Sequence, residues 1–211
     1  MTANAGPQVS ARFVGRIAGL VPAVLLLSLL GACASSPPTR FFALDAVEPA
    51  AAPTGTAGDP VRIDAVHIPP TLDRSAIVRG ERGHQLEISS QDRWAGDLGE
   101  MIGRVLTQDL ASRLPSGMVI APDSPAPASA RGLVVDILTF QPQSRGEVVL
   151  DVDWTLLQGT QSNPVMRQSE HLTAPAVPSA QGEAAAMSTL LGQLADRMAA
   201  KIGGASGSAQ P

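Results

Sequence analysis

The chain has few cysteine, aromatic and lysine residues. Its 211 residues include one cysteine, two tryptophans and no tyrosine, and Lys201 is the only lysine. A single cysteine excludes a disulfide bond within the chain. Because aromatic residues make up only 3% of the chain, aliphatic residues, methionine and alanine must fill the core. The net charge of −4 provides no excess of basic residues, so we expect no nucleic-acid partner.

Charge is nearly absent from the N-terminal segment. Arg12 and Arg16 are the only charged residues before Cys33, and an apolar run from Ile17 to Leu30 follows them. A basic segment followed by an apolar run of this length is typical of an export signal peptide. The run is shorter than the roughly 20 apolar residues of a membrane-spanning helix. We therefore predict a signal peptide over residues 1–32, with a membrane anchor or a buried helix as the alternative.

The apolar run ends in Leu30-Gly31-Ala32-Cys33, which resembles the lipobox cleaved by signal peptidase II. Only a thiol can take the diacylglyceryl group as a thioether, so we expect Cys33 to carry acyl chains such as palmitate; an ordinary buried thiol is the alternative. Several chains would make the anchor permanent, because one chain binds a membrane only marginally. Residues 33–40 would form a lipidated tether. In enterobacterial-type sorting, an aspartate directly after the cysteine retains a lipoprotein in the inner membrane. Ala34 stands there instead, which favours the periplasmic face of the outer membrane.

The mature chain is expected to hold one globular domain, residues 41–202. Its length and its 44% hydrophobic content suit a single domain with tails. Residues 45–60 should be a flexible loop and residues 203–211 a disordered tail. Removal of residues 1–32 takes away two arginines and no acidic residue, which changes the formal charge from −4 to −6. Such a body is not attracted to anionic lipid, so the lipid must provide the anchor.

Alternating apolar residues and turn signals predict the strands. In Val61–Ile68, alternate residues from Val61 to His67 share one face. Ile77-Val78 and Leu86–Ile88 are expected to form a hairpin. A second hairpin joins Leu133–Phe140 to Glu147–Leu157, whose alternate residues from Val148 to Leu156 face the core while Asp151, Asp153 and Thr155 face water. Further short strands are expected at Phe41–Leu44, Met118–Ile120 and Val165–Leu172.

Apolar residues at helical spacing predict two helices, Asp92–Leu114 and Gln181–Ile202. Ser90 and Ser179 are the expected N-caps, and Gly203-Gly204 should end the second helix. On the first helix, Gly96, Gly99 and Gly103 lie opposite the apolar stripe. We interpret them as a solvent face; close approach of another backbone, such as that of a second subunit, is the alternative.

These elements predict an α/β fold of the α+β sandwich type in a single domain. Two amphipathic helices would pack on one face of a mixed, largely antiparallel sheet, because each element must bury its apolar side.

No catalytic or metal-binding motif stands out. His67, His84 and His171 are far apart and fit no metal-ligand spacing. Asp136, Asp151 and Asp153 could bind a cation if the strand register aligned them, but a solvated strand face is the usual meaning of such a pattern. We therefore expect no enzyme activity, no metal and no cofactor.

Several motifs resemble the PqiC-like, ABC-type transport auxiliary lipoprotein family. The first three are Thr39-Arg40-Phe41-Phe42-Ala43-Leu44, Ile68-Pro69-Pro70-Thr71-Leu72-Asp73-Arg74 with Ile77-Val78, and Arg93-Trp94-Ala95 with Leu98. They are followed by a strand that ends at Phe140, by a strand that ends in Trp154, and by a last helix that contains Leu190, Leu194 and Ala199. The resemblance covers about residues 39–202. Phe41 and Phe42 stand where the family usually has tyrosine, and Gly96 replaces a commoner larger residue.

The resemblance implies an outer-membrane lipoprotein that docks a periplasmic MCE assembly for intermembrane lipid transport, on an α/β sandwich fold. An MCE-domain protein and the membrane are then the partners, and self-association is a further option. An envelope assembly lipoprotein, a lipid carrier and a lipid-anchored hydrolase are the alternatives. Asp73 and Arg74 follow a Pro-Pro corner, where they form either an exposed partner contact or a local ion pair that fixes the turn.

Overall fold

The computed structural model describes residue 2 and residues 37–49, 58–82, 85–143, 146–159 and 163–205. The chain divides into two units, residues 1–38 and 39–211, and the fold below is that of the second. Several predicted features lie outside the described residues. They are the signal peptide (of which only residue 2 is described), Cys33, residues 50–57 of the predicted loop, His84, and residues 206–211 of the predicted tail. No helix in the described part is long and apolar enough to span a membrane.

The described residues form seven strands and two helices in two sheets. Sheet 1 has the order β1-β4-β3, with β1 parallel and β3 antiparallel to β4; sheet 2 has the order β2-β5-β6-β7, with only β2 parallel to its neighbour. The elements are β1 Arg40–Phe42, β2 Val61–His67, β3 Ala76–Arg82, β4 Gln85–Trp94, α1 Leu98–Arg113, β5 Arg131–Gln143, β6 Glu147–Gln158, β7 Asn163–Pro175 and α2 Ala180–Ala205. The predicted α+β class is confirmed, with the strands divided between two sheets.

The core lies between sheet 2 and the helices. The helices pack against each other, α1 contacts β2, and α2 contacts β5, β6 and β7. The alternation predicted for β6 is confirmed: its core-facing residues are Val148, Leu150, Val152, Trp154 and Leu156, all buried. Asp151 and Asp153 on the other face are partly exposed, although Thr155 beside them is buried. This alternation fixes which face of sheet 2 receives the helices.

A bulge in β2 changes the face predicted for its second half. Val61 and Ile63 are buried as predicted, but the register with β5 shifts between Ile63 and Ala65. Val66 therefore packs against the core, and His67 is exposed. The prediction that Ala65 and His67 share the apolar face is wrong, because one extra residue in a strand reverses the side chains that follow.

Helix α1 begins later than predicted. It starts at Leu98, and the side chain of Asp97 caps it by accepting a hydrogen bond from the Glu100 backbone N–H (2.9 Å). Ser90 is therefore not the cap, because β4 continues through Asp92 to Trp94. Trp94 is buried, and its spacing to Leu98 matches a helical repeat although the two residues lie in different elements.

At Gly99 and Gly103 the glycine face of α1 packs against Val66 and Ile68 of the same chain, so its interpretation as a solvent face is wrong at these two positions. A Cβ atom on Gly103 would lie 3.5 Å from Val66 Cγ2, and one on Gly99 would lie 3.9 Å from Ile68 Cδ1. The neighbour is thus β2 and its extension in the same chain. Gly96 precedes the helix, and a Cβ atom on it would have no neighbour within 4 Å.

The two hairpins and the N-cap of the last helix form as predicted, but the end of that helix does not. Both hairpins are confirmed, as β3–β4 and β5–β6. Ser179 caps α2 as predicted, since its Oγ accepts from the Gly182 N–H (3.1 Å). The helix continues to Ala205 through Gly203 and Gly204, so the predicted stop at these glycines and the start of a disordered tail at residue 203 are wrong.

The first part of the predicted loop, residues 45–60, is fastened to the helices. The Asp45 N–H donates to Ser188 Oγ of α2 (3.1 Å), and the Val47 N–H donates to Asp109 Oδ1 of α1 (2.8 Å). Leu44, just before this segment, is buried. Residues 45–49 have no regular secondary structure, but they lie against both helices.

The close approach of β3 to β5 makes Gly80 sensitive to substitution. A Cβ atom there would lie 2.5 Å from the backbone oxygen of Pro142, which cannot rotate away. We expect Gly80→Ala to lower the free energy of unfolding of fragment 34–211 by about 1–3 kcal/mol, measured by urea denaturation. Gly96→Ala is the control and should cost little. Equal stability of the two variants would contradict the contact.

Candidate functional site

The predicted lipid site and the start of the folded domain are close in the chain. The structure does not describe Cys33, so its lipidation stays a prediction. Arg40 follows Cys33 by seven residues, begins β1 and is the register partner of Asp92 in β4. The β1 edge of sheet 1 is therefore the part of the fold that lies nearest to the predicted lipid along the chain.

Asp73 and Arg74 lie in a turn between β2 and β3. The N–H groups of Leu72 and Asp73 donate to the Pro69 carbonyl (2.9 and 3.2 Å), and Leu72 is buried. Asp73 and Arg74 are exposed. In the part of the chain that the structure describes, neither joins an ion pair. The interpretation of a local ion pair is therefore wrong: backbone hydrogen bonds and Leu72 fix the turn.

Strand β4 connects this turn to β1. Arg93 Nη1 of β4 donates to Ser75 Oγ (3.0 Å), next to the turn, and Arg93 is the register partner of Phe41 in β1. The Phe41 side chain is 66% exposed. We call Phe41, Asp73, Arg74 and Arg93 the edge surface. It combines the predicted contact residues with an apolar side chain close in sequence to the predicted anchor.

An ionic network joins sheet 1 to the first turn of α2. Arg40 Nε donates to Asp92 Oδ1 (2.8 Å), and Arg79 Nη2 lies 3.3 Å from Asp92 Oδ2. Arg79 Nε contacts both carboxylate oxygens of Glu183 (2.9 and 3.0 Å). Hydrogen bonding to Glu183 raises the pKa of Arg79. Both carboxylates are buried and neutralised by arginine, so the network is suited to holding elements together and not to proton transfer.

Asp92 is held in its ionised form by its neighbours. Burial alone would raise its pKa, but hydrogen bonds from Arg40 and Ser89, with the charge of Arg40, outweigh burial and lower the pKa below its ordinary value. A carboxyl group whose pKa is lowered in the folded state stabilises the fold above its unfolded pKa. That contribution is lost as the pH falls through the folded pKa.

Asp92→Asn is therefore expected to act in a pH-dependent way. At neutral pH it should lower the free energy of unfolding by about 1–3 kcal/mol, because two arginines lose a charged acceptor. The difference from the wild type should shrink at a pH below about 3.9, the ordinary pKa of an aspartate side chain. Urea denaturation at both pH values measures it, with exposed Asp73→Asn as the control. A difference that does not change with pH would contradict the account.

The carboxylates of sheet 2 do not gather into a cation site. Asp136 and Asp153 are register partners, as a shared site would require. However, Asp136 Oδ1 lies 2.7 Å from His67 Nδ1, and Asp151 Oδ1 lies 2.6 Å from His171 Nδ1. No group of three metal-binding side chains is found among the described residues. The pattern is that of a polar, solvated sheet face.

The ionic network is a feature that the sequence did not predict. Arg79 and Glu183 are 104 residues apart, and Arg40 and Asp92 are 52 apart. The one local signal is a charged residue inside an apolar strand, Arg79 next to Val78. Its partner cannot be identified without the position of α2 against sheet 1.

Comparisons with known proteins define the family. A family model described as the ABC-type transport auxiliary lipoprotein component matches residues 42–199, and the chain belongs to this family. The protein is therefore a lipoprotein-type component associated with ABC-type transport. A search of curated proteins gave no match.

Two crystal structures have a similar fold. One is a protein from Xanthomonas campestris, 16% identical, with a TM-score of 0.66 over 81% of this chain and 100% of that chain. The other is an uncharacterised protein, 20% identical, with a TM-score of 0.61 over 80% of this chain and 99% of that chain. At these identities the likeness shows the fold alone.

Proposed function

We propose that the protein is a lipid-anchored, non-enzymatic component at the periplasmic face of the outer membrane. There it would dock the periplasmic MCE-domain assembly of an ABC-type lipid transport system. The observation that carries the proposal is the family match over residues 42–199, which covers nearly all of the folded domain. The lipobox-like sequence at Cys33 and the absence of aspartate after it support the anchor and its membrane.

The edge surface offers a contact for the partner. Asp73 and Arg74 are exposed on a turn whose backbone is fixed, so a partner would meet them without ordering a flexible loop. Their charges have no carboxylate or guanidinium partner among the described residues, and they are therefore available to complementary charges. We propose that these two residues contact the MCE-domain protein.

A flotation assay tests the docking. The lipidated protein is reconstituted in phospholipid vesicles and mixed with the MCE-domain protein encoded in the same genome. We expect the MCE-domain protein to float with these vesicles and not with bare ones. Arg74→Glu should weaken the association, and Arg167→Glu, an exposed arginine on β7, is the matched control. An MCE-domain protein that stays at the bottom of the gradient with wild-type vesicles would contradict the proposal.

A further inference from the structure

The proposed contact of Asp73 and Arg74 with the protein partner gives no role to Phe41, the apolar residue of the edge surface. Its side chain is 66% exposed on β1, the strand that begins the fold. Exposed apolar side chains occur elsewhere, such as Val165 (53%) and Val177 (68%), and a single one needs no explanation by itself. What distinguishes Phe41 is its place in the chain, because it follows Cys33 by eight residues.

The tether limits how far Phe41 can be from the lipid. Eight residues span at most about 28 Å when fully extended. A domain of this size has a radius of gyration of about 16 Å, so its width exceeds that reach. The β1 edge therefore cannot lie on the side of the domain that faces away from the membrane, whereas the β7 edge of sheet 2, which carries Val165, has no such constraint.

The residue beside Phe41 suits a phospholipid surface. Arg93 is its register partner, and the guanidinium of Arg93 donates to Ser75 Oγ without a carboxylate partner among the described residues. An exposed aromatic side chain next to an uncompensated arginine is the combination that binds the headgroup region, where the ring enters the acyl boundary and the cation meets phosphate. The net charge of −6 does not oppose this, because charge acts over only about 8 Å at physiological salt.

We infer that the β1 edge rests on the bilayer, with Phe41 inserted among the phospholipid headgroups and Arg93 at the level of the phosphates. This rests on the proposed function, because it requires a lipidated Cys33. It goes beyond that function because the domain itself, and not only the lipid, contacts the membrane. The contact fixes the orientation of the domain and leaves Arg74, on the far side of Arg93, for the protein partner.

Tryptophan reporters test the contact on the full lipidated protein in vesicles. Phe41→Trp is compared with Val165→Trp, against the constant signal of Trp94 and Trp154, which are both buried. We expect nitroxide-labelled phospholipid to quench Phe41→Trp several-fold more than Val165→Trp, with a blue shift of the Phe41→Trp emission on reconstitution. In vesicles with phosphatidylglycerol, Arg93→Gln should reduce the inserted fraction about fivefold and Arg167→Gln should not.

The outcomes separate the two proposals. If the wild-type protein floats with vesicles but the Phe41→Trp and Val165→Trp signals are equally unquenched, the inference is overturned and the anchor stands. Shielding of Phe41→Trp only after the MCE-domain protein is added would make the edge a protein interface and would also overturn it. If the wild type does not float at all, both proposals fail. Hydrogen exchange of β1 in the wild type, slowed by vesicles, checks the result without a substitution.

Discussion

Arg113→Met is expected to lower the free energy of unfolding by about 3–5 kcal/mol, because it leaves a buried carboxylate without its counter-charge. Arg113 and Asp109 are both buried at the interface between α1 and α2. Arg113 Nη1 donates to the backbone oxygens of Val47 and Asp109 (both 3.0 Å), and Nε donates to Asp196 Oδ1 of α2 (2.6 Å). One side chain thus joins both helices and the segment after β1.

Asp109→Asn should behave quite differently and cost less than about 1 kcal/mol. Burial raises the pKa of Asp109, so its ionised form is disfavoured in the fold, and Oδ2 has no hydrogen-bond partner. Asparagine removes that charge and can still accept from the Val47 N–H. A raised pKa also means that the wild type loses this penalty as the pH falls through the folded pKa, whereas asparagine does not titrate, so the stability of the wild type should rise relative to that of Asp109→Asn at acidic pH.

Urea denaturation of fragment 34–211 measures both variants. Arg104→Met, an exposed arginine on the same helix, is the matched control and should change the stability by less than about 0.5 kcal/mol. If Arg113→Met were no less stable than Arg104→Met, the cluster would not hold the helices together.

The proposed anchor predicts that Cys33→Ser removes the protein from the outer membrane entirely. The serine oxygen cannot form the thioether, so acylation and cleavage by signal peptidase II both stop. The precursor should keep residues 1–32, run at a higher apparent mass and remain with the inner membrane through its apolar run. Membrane fractionation and mass spectrometry of the N-terminal peptide measure this. Ser35→Ala is the control, and a Cys33→Ser protein that still fractionates with the outer membrane would exclude the lipid site.

The parts of the fold that can be predicted from sequence are those governed by local periodicity. Strand β6 alternates apolar and polar residues from Leu150 to Leu156, so the face that buries Leu150 and Trp154 can be read from the sequence. The cap at Ser179 is recognisable because side-chain capping depends on residues within one turn. In both cases the information lies within a few residues of the feature.

The errors arise where distant pairing overrides the local pattern. Trp94 and Leu98 have helical spacing, but Trp94 pairs with Phe42 of β1, and that partner extends the strand. The bulge after Ile63 likewise depends on the fit of β2 to β5. The edge surface likewise combines a local and a distant feature. The turn at Asp73 and Arg74 can be recognised from its sequence motif, whereas the position of Phe41 beside Arg93 depends on the parallel pairing of β1 with β4.

The most direct test of the account is affinity purification of the full-length, lipidated protein from native outer membranes. Mild detergent extraction followed by mass spectrometry should recover an MCE-domain protein as a major specific partner, and Arg74→Glu should lower its yield relative to Arg167→Glu. Repeated recovery of the lipidated protein from outer membranes without any MCE-domain protein would contradict the docking role.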